Sequence, residues 1–221
     1  MLLCIDIGNT NITIGLYKKK LEDVWRVQSD TKKTPDEYNL LLTNLIKQKI
    51  KNVAIASVVP QLTNTFVDIS KKNNWNLFII TEKSKMKIRN AYKNPSEVGI
   101  DRLINAEFVY RKFCCECITV DFGTAVTIDC VLTQKTSKLQ KIWLKENVNI
   151  IGKTTEESIQ SGLLWGFVNM VSGSIEKIKQ EIEKDWKGKT ILTGGLCRFF
   201  SRFIDFDLVD ENLTLKGIEM I

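Results

Sequence analysis

Leu2-Leu3-Cys4-Ile5-Asp6-Ile7-Gly8-Asn9-Thr10-Asn11-Ile12-Thr13-Ile14-Gly15 is a short apolar strand ending in an acid, then a turn of Gly, Asn and Thr, then an alternating second strand. Ile12, Ile14 and Leu16 fall on one face of that second strand, with Thr13 and Gly15 on the other. A strand that carries a carboxylate into such a turn can build a small anion and cation pocket. Gly8 allows backbone N–H groups close to a phosphate, Asn9, Thr10 and Asn11 offer side-chain donors, and Asp6 can hold a cation or its water. A β-hairpin with a polar tip satisfies the same pattern.

A second copy changes the balance. Ile118-Thr119-Val120-Asp121-Phe122-Gly123-Thr124-Ala125-Val126-Thr127-Ile128-Asp129 repeats strand, Asp, apolar residue, Gly, Thr-containing turn and returning strand. Aligning Asp6 with Asp121 also aligns Gly8 with Gly123 and Thr13 with Ile128. Two such turns half a chain apart imply an internal duplication, and two facing acid-Gly-Thr turns could grip a polyphosphate from both sides.

Elsewhere, helix and strand signals alternate. Val24 to Val27 reads as a third strand, and Thr34-Pro35-Asp36-Glu37 as a capping box opening a helix to about Lys49. Val53 to Val59 is a continuous apolar run, hence a buried parallel strand. Pro60 opens a second helix, and Leu77 to Ile80 follows as a strand. Hairpin-joined strands followed by this alternation describe an α/β layer with a mixed sheet. Asp101 and Arg102 stand at the start of a helix with apolar positions Leu103, Ile104, Phe108 and Val109. An acid there caps exposed N–H groups, or serves a site that also draws on the Tyr92 loop. Gly152-Lys153-Thr154-Thr155 begins a long helix carrying Gly162, Gly166 and Gly173. Close packing against another element would compensate their poor helix propensity, as would a helix contact between subunits. A strand is expected near Lys141 to Leu144. Thr193-Gly194-Gly195 ends a strand and starts a helix over Leu196 to Phe203.

Composition excludes several chemistries. The 221 residues include no histidine, which removes Ser-His-Asp and Cys-His nucleophile systems and leaves a carboxylate as the expected general base. The formal charge of +6 comes from scattered lysines, a solvated face rather than a nucleic-acid patch. No secretory leader and no apolar run of membrane-spanning length is visible, so a cytoplasmic protein that engages neither membrane nor nucleic acid is expected. Of six cysteines, Cys4, Cys130 and Cys197 fit a reduced interior, and Cys114-Cys115-Glu116-Cys117 has CxxC spacing without the further ligands a zinc site needs.

The turns at Asp6 to Thr10, Asp121 to Thr124 and Thr193 to Gly195 resemble the two phosphate motifs and the adenosine motif of the actin-like ATPase and sugar-kinase superfamily. Within it, Asp-Ile-Gly-Asn-Thr (6–10), Asn-Pro-Ser-Glu-Val-Gly-Ile-Asp-Arg (94–102), Asp-Phe-Gly-Thr-Ala (121–125) and Gly-Lys-Thr-Thr (152–155) resemble type III pantothenate kinase, in order and along nearly the whole chain. The resemblance implies an α/β fold of two duplicated ribonuclease-H-like domains, residues 1–113 and 114–221, with mixed sheets flanked by helices and an ATP cleft between them.

It also implies ATP-dependent phosphorylation of pantothenate to 4′-phosphopantothenate, the first step of coenzyme A biosynthesis. Asp101 would be the base. Asp6, Ile7, Gly8, Asn9, Thr10, Asn11, Ile12 and Thr13 would form the ATP phosphate loop, with Thr124 as a second phosphate contact. Tyr92, Gly99, Ile100, Asp101, Arg102 and Thr155 would bind pantothenate. Asp121 and Asp6 would serve Mg²⁺ and a monovalent cation, K⁺ or NH₄⁺, in a homodimer. The family's glycine pair and Pro-Gly after the second turn have no counterpart between Cys130 and Ile151, where neither Gly nor Pro occurs. The competing expectation is therefore a shortened, non-catalytic relative that binds nucleotide as a regulatory or accessory factor.

Overall fold

The computed structural model describes residues 1–90, 92, 95–123, 126–132, 150, 155–182 and 185–221, without the side chains of residues 96 and 155–159. The strand expected at Lys141 to Leu144 lies outside these residues. The chain forms two compact units, Met1–Arg111 with Asn212–Ile221, and Lys112–Glu211.

The first unit is built on five strands: β1 (Leu2–Ile7), β2 (Asn11–Tyr17), β3 (Leu21–Gln28), β4 (Asn52–Ser57) and β5 (Asn76–Ile79). Their order is β3-β2-β1-β4-β5, with β1–β2 and β2–β3 antiparallel and β1–β4 and β4–β5 parallel. The two parallel pairs are crossed over by α1 (Pro35–Leu45) and α2 (Pro60–Lys72). The start of α1 is fixed by the expected capping box. Thr34 Oγ1 accepts the Glu37 N–H (3.3 Å) while the Glu37 carboxylate accepts the Thr34 N–H (2.7 Å), an arrangement worth about 1 kcal/mol.

Alternation along β1 sends Leu3, Ile5 and Ile7 into one core with Ile12, Ile14, Leu16, Tyr38, Leu42, Leu62 and Phe66. Cys4 points the other way, into a second core with Ala54, Ala56, Ile100, Leu103, Ile104, Leu215 and Ile218. α1 and α2 therefore cover one face of the sheet. The other face carries α3 (Ile100–Phe113) and α6 (Leu213–Met220).

The second unit repeats the plan with β6 (Cys117–Phe122), β7 (Val126–Val131), β8 (Lys189–Thr193) and β9 (Leu208–Val209), in the order β7-β6-β8-β9. β6–β7 is antiparallel, and β6–β8 and β8–β9 are parallel, as in β2-β1-β4-β5 of the first unit. α4 (Thr155–Ile182) precedes β8 and α5 (Cys197–Phe200) follows it. Phe122, Phe167 and Phe200 pack at the centre, with Phe122 stacked on Phe200 at 4.6 Å between ring centroids.

The structure differs from the sequence expectations in four respects. The expected division after residue 113 placed the C-terminal residues in the second half, whereas Asn212–Ile221 returns to the first unit. There α6 approaches α3 so closely that a Cβ on Gly217 would overlap Ile104 Cγ2, and Arg111 Nη1 donates to the Met220 carbonyl (3.0 Å). The α5 helix ends at Phe200 rather than Phe203. The two hairpins align differently as well. Thr13 lies opposite Asp6, but Thr127, not Ile128, lies opposite Asp121, because the second turn is one residue shorter. Finally, among the described residues a Cβ at Gly162, Gly166 or Gly173 meets no neighbouring element within 4 Å, so the close packing expected to compensate these glycines is not found there.

Candidate active site

Asp6 belongs to the row of β1 residues that faces α3 and α6, opposite the row of Leu3, Ile5 and Ile7. It sits half-buried at the carboxyl end of the strand, paired with Thr13. The turn beyond it is closed by a hydrogen bond from the Gly8 N–H to the Asn11 carbonyl (3.0 Å), leaving Asn9, Thr10 and Asn11 exposed at the tip. Ile7 and Ile12 are fully buried and anchor the turn, so their own contribution to a ligand is confined to backbone groups. The same holds for Ile100, whose side chain is in the core with α6.

Asp101 enters the same region from the first turn of α3. The β1 strand hands the Ile7 carbonyl to the Val58 N–H (3.0 Å), just past the end of β4. Val58 in turn borders Gly99, with Cγ1 3.4 Å from the position of a Gly99 Cβ. Beside Gly99 stands the Asp101 carboxylate. Oδ1 accepts the Arg102 N–H (2.9 Å). Burial pushes the Asp101 carboxyl above the ordinary aspartate range, an effect opposed in part by that N–H and by the Arg102 charge. A half-buried carboxylate with raised proton affinity at a helix start is a stronger base than an exposed aspartate.

Arg102 is held in turn by Tyr92. Its Nη2 donates to the Tyr92 hydroxyl (2.6 Å), and its guanidinium carbon lies 5.2 Å from the Tyr92 ring centroid. The loop bearing Tyr92 is tied internally, since the Tyr92 N–H donates to Asn90 Oδ1 (3.1 Å) and Asn90 Nδ2 donates to the Pro95 carbonyl (3.0 Å). The structure thus joins Tyr92, Gly99, Asp101 and Arg102 into one contiguous group, linked through Val58 to the end of β1.

Two residues that sequence reasoning passed over support this group. Glu107, with a fully buried side chain, accepts the N–H groups of Lys87 (2.9 Å) and Ile88 (3.0 Å) and pairs with Arg111. It pins the segment from which the Tyr92 loop departs. Ser29, at the exit of β3, bonds to the Asp6–Thr13 turn. The Glu107–Arg111 spacing of four residues reads as an ordinary helix-surface pair, and the backbone partners that give Glu107 and Ser29 their roles are many residues away.

In the second unit Asp121 ends β6 between Thr127 of β7 and Thr193 of β8. Gly194 presses its backbone against this acid with a left-handed φ of +86°, and a Cβ there would lie 2.6 Å from the Phe122 carbonyl carbon. The Leu196 N–H donates to the Phe122 carbonyl (3.3 Å), joining the Thr-Gly-Gly turn to the Asp-Phe-Gly turn. Thr124 lies outside the described residues. Thr155 opens α4 as expected, but its side chain also lies outside them. Among the described residues no group of three or more Cys, Asp or Glu is gathered to hold a metal ion. The CxxC cysteines form no disulfide, and burial raises the Cys117 thiol above the ordinary range. No helix among the described residues is long and apolar enough to cross a membrane.

Comparison with known proteins gives a concordant result. The sequence model of the type III pantothenate kinase family matches residues 2–133 and 130–177, two stretches that meet where the segment without Gly or Pro begins. A type III pantothenate kinase from Geotalea uraniireducens is 36% identical over 251 aligned positions, covering 100% of this chain and 97% of that protein. The corresponding protein of Finegoldia magna is 36% identical, with 100% and 96% covered. An alignment of 251 positions over a chain of 221 residues means that the relative carries residues this chain lacks.

Among solved structures, a Campylobacter jejuni protein described as a candidate Baf family transcriptional activator superposes with a TM-score of 0.62 at 17% identity, covering 99% of this chain and 96% of that one. An inorganic polyphosphate/ATP-glucomannokinase from Arthrobacter sp. strain KM gives 0.53 at 14% identity, with 99% and 96% covered. At these identities the superpositions establish the fold, that of the actin-like ATPases and sugar kinases. By sequence, the chain belongs to the type III pantothenate kinase family.

Proposed function

We propose that this protein transfers the γ-phosphoryl group of ATP to the primary hydroxyl of pantothenate, the first step of coenzyme A biosynthesis. The observation that carries the proposal is the half-buried Asp101 carboxylate at the start of α3, linked through Gly99 and Val58 to the end of β1, in a chain matched to family members along its full length. Phosphoryl transfer proceeds through a loose transition state, so alignment and charge neutralisation are the protein's main tasks. Asp101 orients the pantothenate hydroxyl and receives its proton as the oxygen bonds to phosphorus, and ADP leaves with the bridging oxygen. Arg102, steadied by Tyr92, meets the pantothenate carboxylate, and the Gly99–Arg102 backbone and Thr155 complete the substrate contacts. The turn from Asp6 to Thr13 and Thr124 bind the ATP phosphates.

Mg²⁺ suits Asp6, because this cation needs only one or two carboxylates alongside phosphate oxygens and water. When bound, it neutralises phosphate charge. Asp121, a carboxylate flanked by Thr127 and Thr193, suits a monovalent cation such as K⁺ or NH₄⁺. We assign the protein to the cytoplasm, since none of its six cysteines is in a disulfide.

A homodimer is the expected assembly. Gly162, Gly166 and Gly173 fall within about 40° of one another on α4 at 3.6 residues per turn. All three are exposed, with Leu163 half exposed beside them. Such a face admits close approach of another helix.

ADP release measured against pantothenate and a panel of sugars tests the proposal. Release that depends on pantothenate, ATP and Mg²⁺, and that Asp101→Asn abolishes, is expected. Release with a sugar in place of pantothenate would reassign the substrate, and full activity of Asp101→Asn would reassign the base.

A further inference from the structure

A turn that binds phosphate must present N–H groups and keep its carbonyl oxygens away, since a carbonyl pointing at a phosphate repels it. In the Gly8–Asn11 turn, two carbonyls are held by one residue outside it. Ser29 Oγ donates to the Gly8 carbonyl (2.6 Å), and the Ser29 N–H donates to the Thr10 carbonyl (2.9 Å). The 2.6 Å contact is at the short end for a neutral hydroxyl donor.

Ser29 is itself fixed from both sides. The Asp30 N–H donates to the Tyr38 hydroxyl (2.9 Å), whose single hydrogen serves the Asp30 carbonyl (3.1 Å) or the Gln28 carbonyl (3.3 Å). Tyr38 is 1% exposed and packs on Phe66 at 5.4 Å between ring centroids. A rigid path therefore runs from the core under α1 and α2, through the exit of β3, to the turn.

We propose that Ser29 is a positioning residue for the nucleotide: by holding the Gly8 and Thr10 carbonyls, it fixes the turn in the orientation that receives the ATP phosphates. Its hydroxyl touches no substrate and acts through the turn. This inference rests on the kinase assignment above. The two are separable, because nucleotide binding can be measured without phosphoryl transfer.

Calorimetric titration of the full chain with ATP and Mg²⁺, without pantothenate, is the direct test, with ADP-release kinetics alongside. Ser29→Ala removes the bond to Gly8 and leaves the backbone bond to Thr10. Its Kd and KM for ATP should rise about tenfold, the scale of one intramolecular hydrogen bond. KM for pantothenate should change by less than about twofold, a split that general loosening of the fold would not produce. Ser29→Thr retains the hydroxyl and should restore ATP binding.

Unchanged ATP affinity in Ser29→Ala, equal weakening toward both substrates, or no rescue by Thr would overturn the proposal. If Ser29→Ala fails to fold, Tyr38→Phe loosens the same anchor one step back and should weaken ATP in the same direction. Wild-type affinity in that variant would then overturn the proposal. Wild-type protein that binds ATP but releases no ADP with pantothenate would instead defeat the kinase assignment alone.

Discussion

The Gly99 backbone lies against the Asp101 carboxylate, so that a Cβ at position 99 would share space with Oδ1. Glycine is required there by contact rather than by φ. Gly99→Ala should push the carboxylate out of place while α3 persists, because the clash is with a side chain at the helix start. Misplacing a base by about 1 Å costs on the order of 10²-fold in rate. Steady-state kinetics should show kcat reduced to that extent, with circular dichroism unchanged. Activity within a factor of a few of wild type would remove Asp101 from the reacting centre.

Burial sets the sign of the pH response. The Asp101 carboxyl is raised from an ordinary aspartate's 3.8 by loss of solvent, and only partly brought back by the Arg102 N–H and charge. The base works ionised, so kcat/KM should fall as pH drops through this raised value, with the acid limb displaced upward from that of an exposed aspartate. Stability runs the other way. A carboxyl whose folded pKa exceeds its unfolded pKa stabilises the fold most below the unfolded value, and that contribution is lost as pH rises through the folded one. At neutral pH the ionised carboxylate therefore costs stability, and Asp101→Asn should match or exceed the wild-type Tm while losing turnover. The Tm advantage should shrink as pH is lowered, and a variant less stable than wild type at pH 7 would contradict the assigned desolvation.

Much of this site was legible along the chain because its signals are local. Asp6 and Asp121 end apolar strands and precede Gly-containing turns, Thr34 and Glu37 spell their own cap, and Asp101 opens a helix with clear periodicity. What periodicity could not supply is contact between distant residues. Glu107 sits where a helix surface usually meets water, and only the Lys87–Ile88 backbone folded over it makes it a buried acceptor. Ser29 lies 21 residues from its Gly8 partner, and α6 joins the first unit through Gly217 against Ile104. The glycines of α4 stay undecided along the chain for the same reason, since helix propensity flags their cost but not which surface uses them.

Glu107 is the least replaceable of these distant anchors. Its buried carboxylate accepts two backbone N–H groups and pairs with Arg111, whose other donor reaches the Met220 carbonyl. Glu107→Ala leaves those donors unpaired, at a cost of about 3 kcal/mol. For a chain of this size that lowers Tm by roughly 6–12 °C. The freed Lys87–Ile88 segment leads directly into the Tyr92 loop, so KM for pantothenate should rise more than KM for ATP at temperatures where the variant is folded. Scanning calorimetry and the two KM values check this, and a loss shared equally by both substrates would confine Glu107 to a purely structural role.

The glycine face of α4 permits a test in which two effects oppose one another. On an isolated, solvent-exposed helix, replacing Gly166 by Leu should stabilise, because Gly costs about 1 kcal/mol in a helix interior relative to good helix formers. No atom lies within 4 Å of the position a Cβ would take, so nothing among the described residues resists the larger side chain. If the face instead meets its own copy, Leu at position 166 holds the helices apart. Sedimentation velocity should then show wild type as a dimer and Gly166→Leu shifted toward monomer, while the isolated monomer melts no lower than before. A wild-type monomer, or a dimer indifferent to the substitution, would free α4 from any role in assembly and leave its three glycines as an uncompensated cost to the helix.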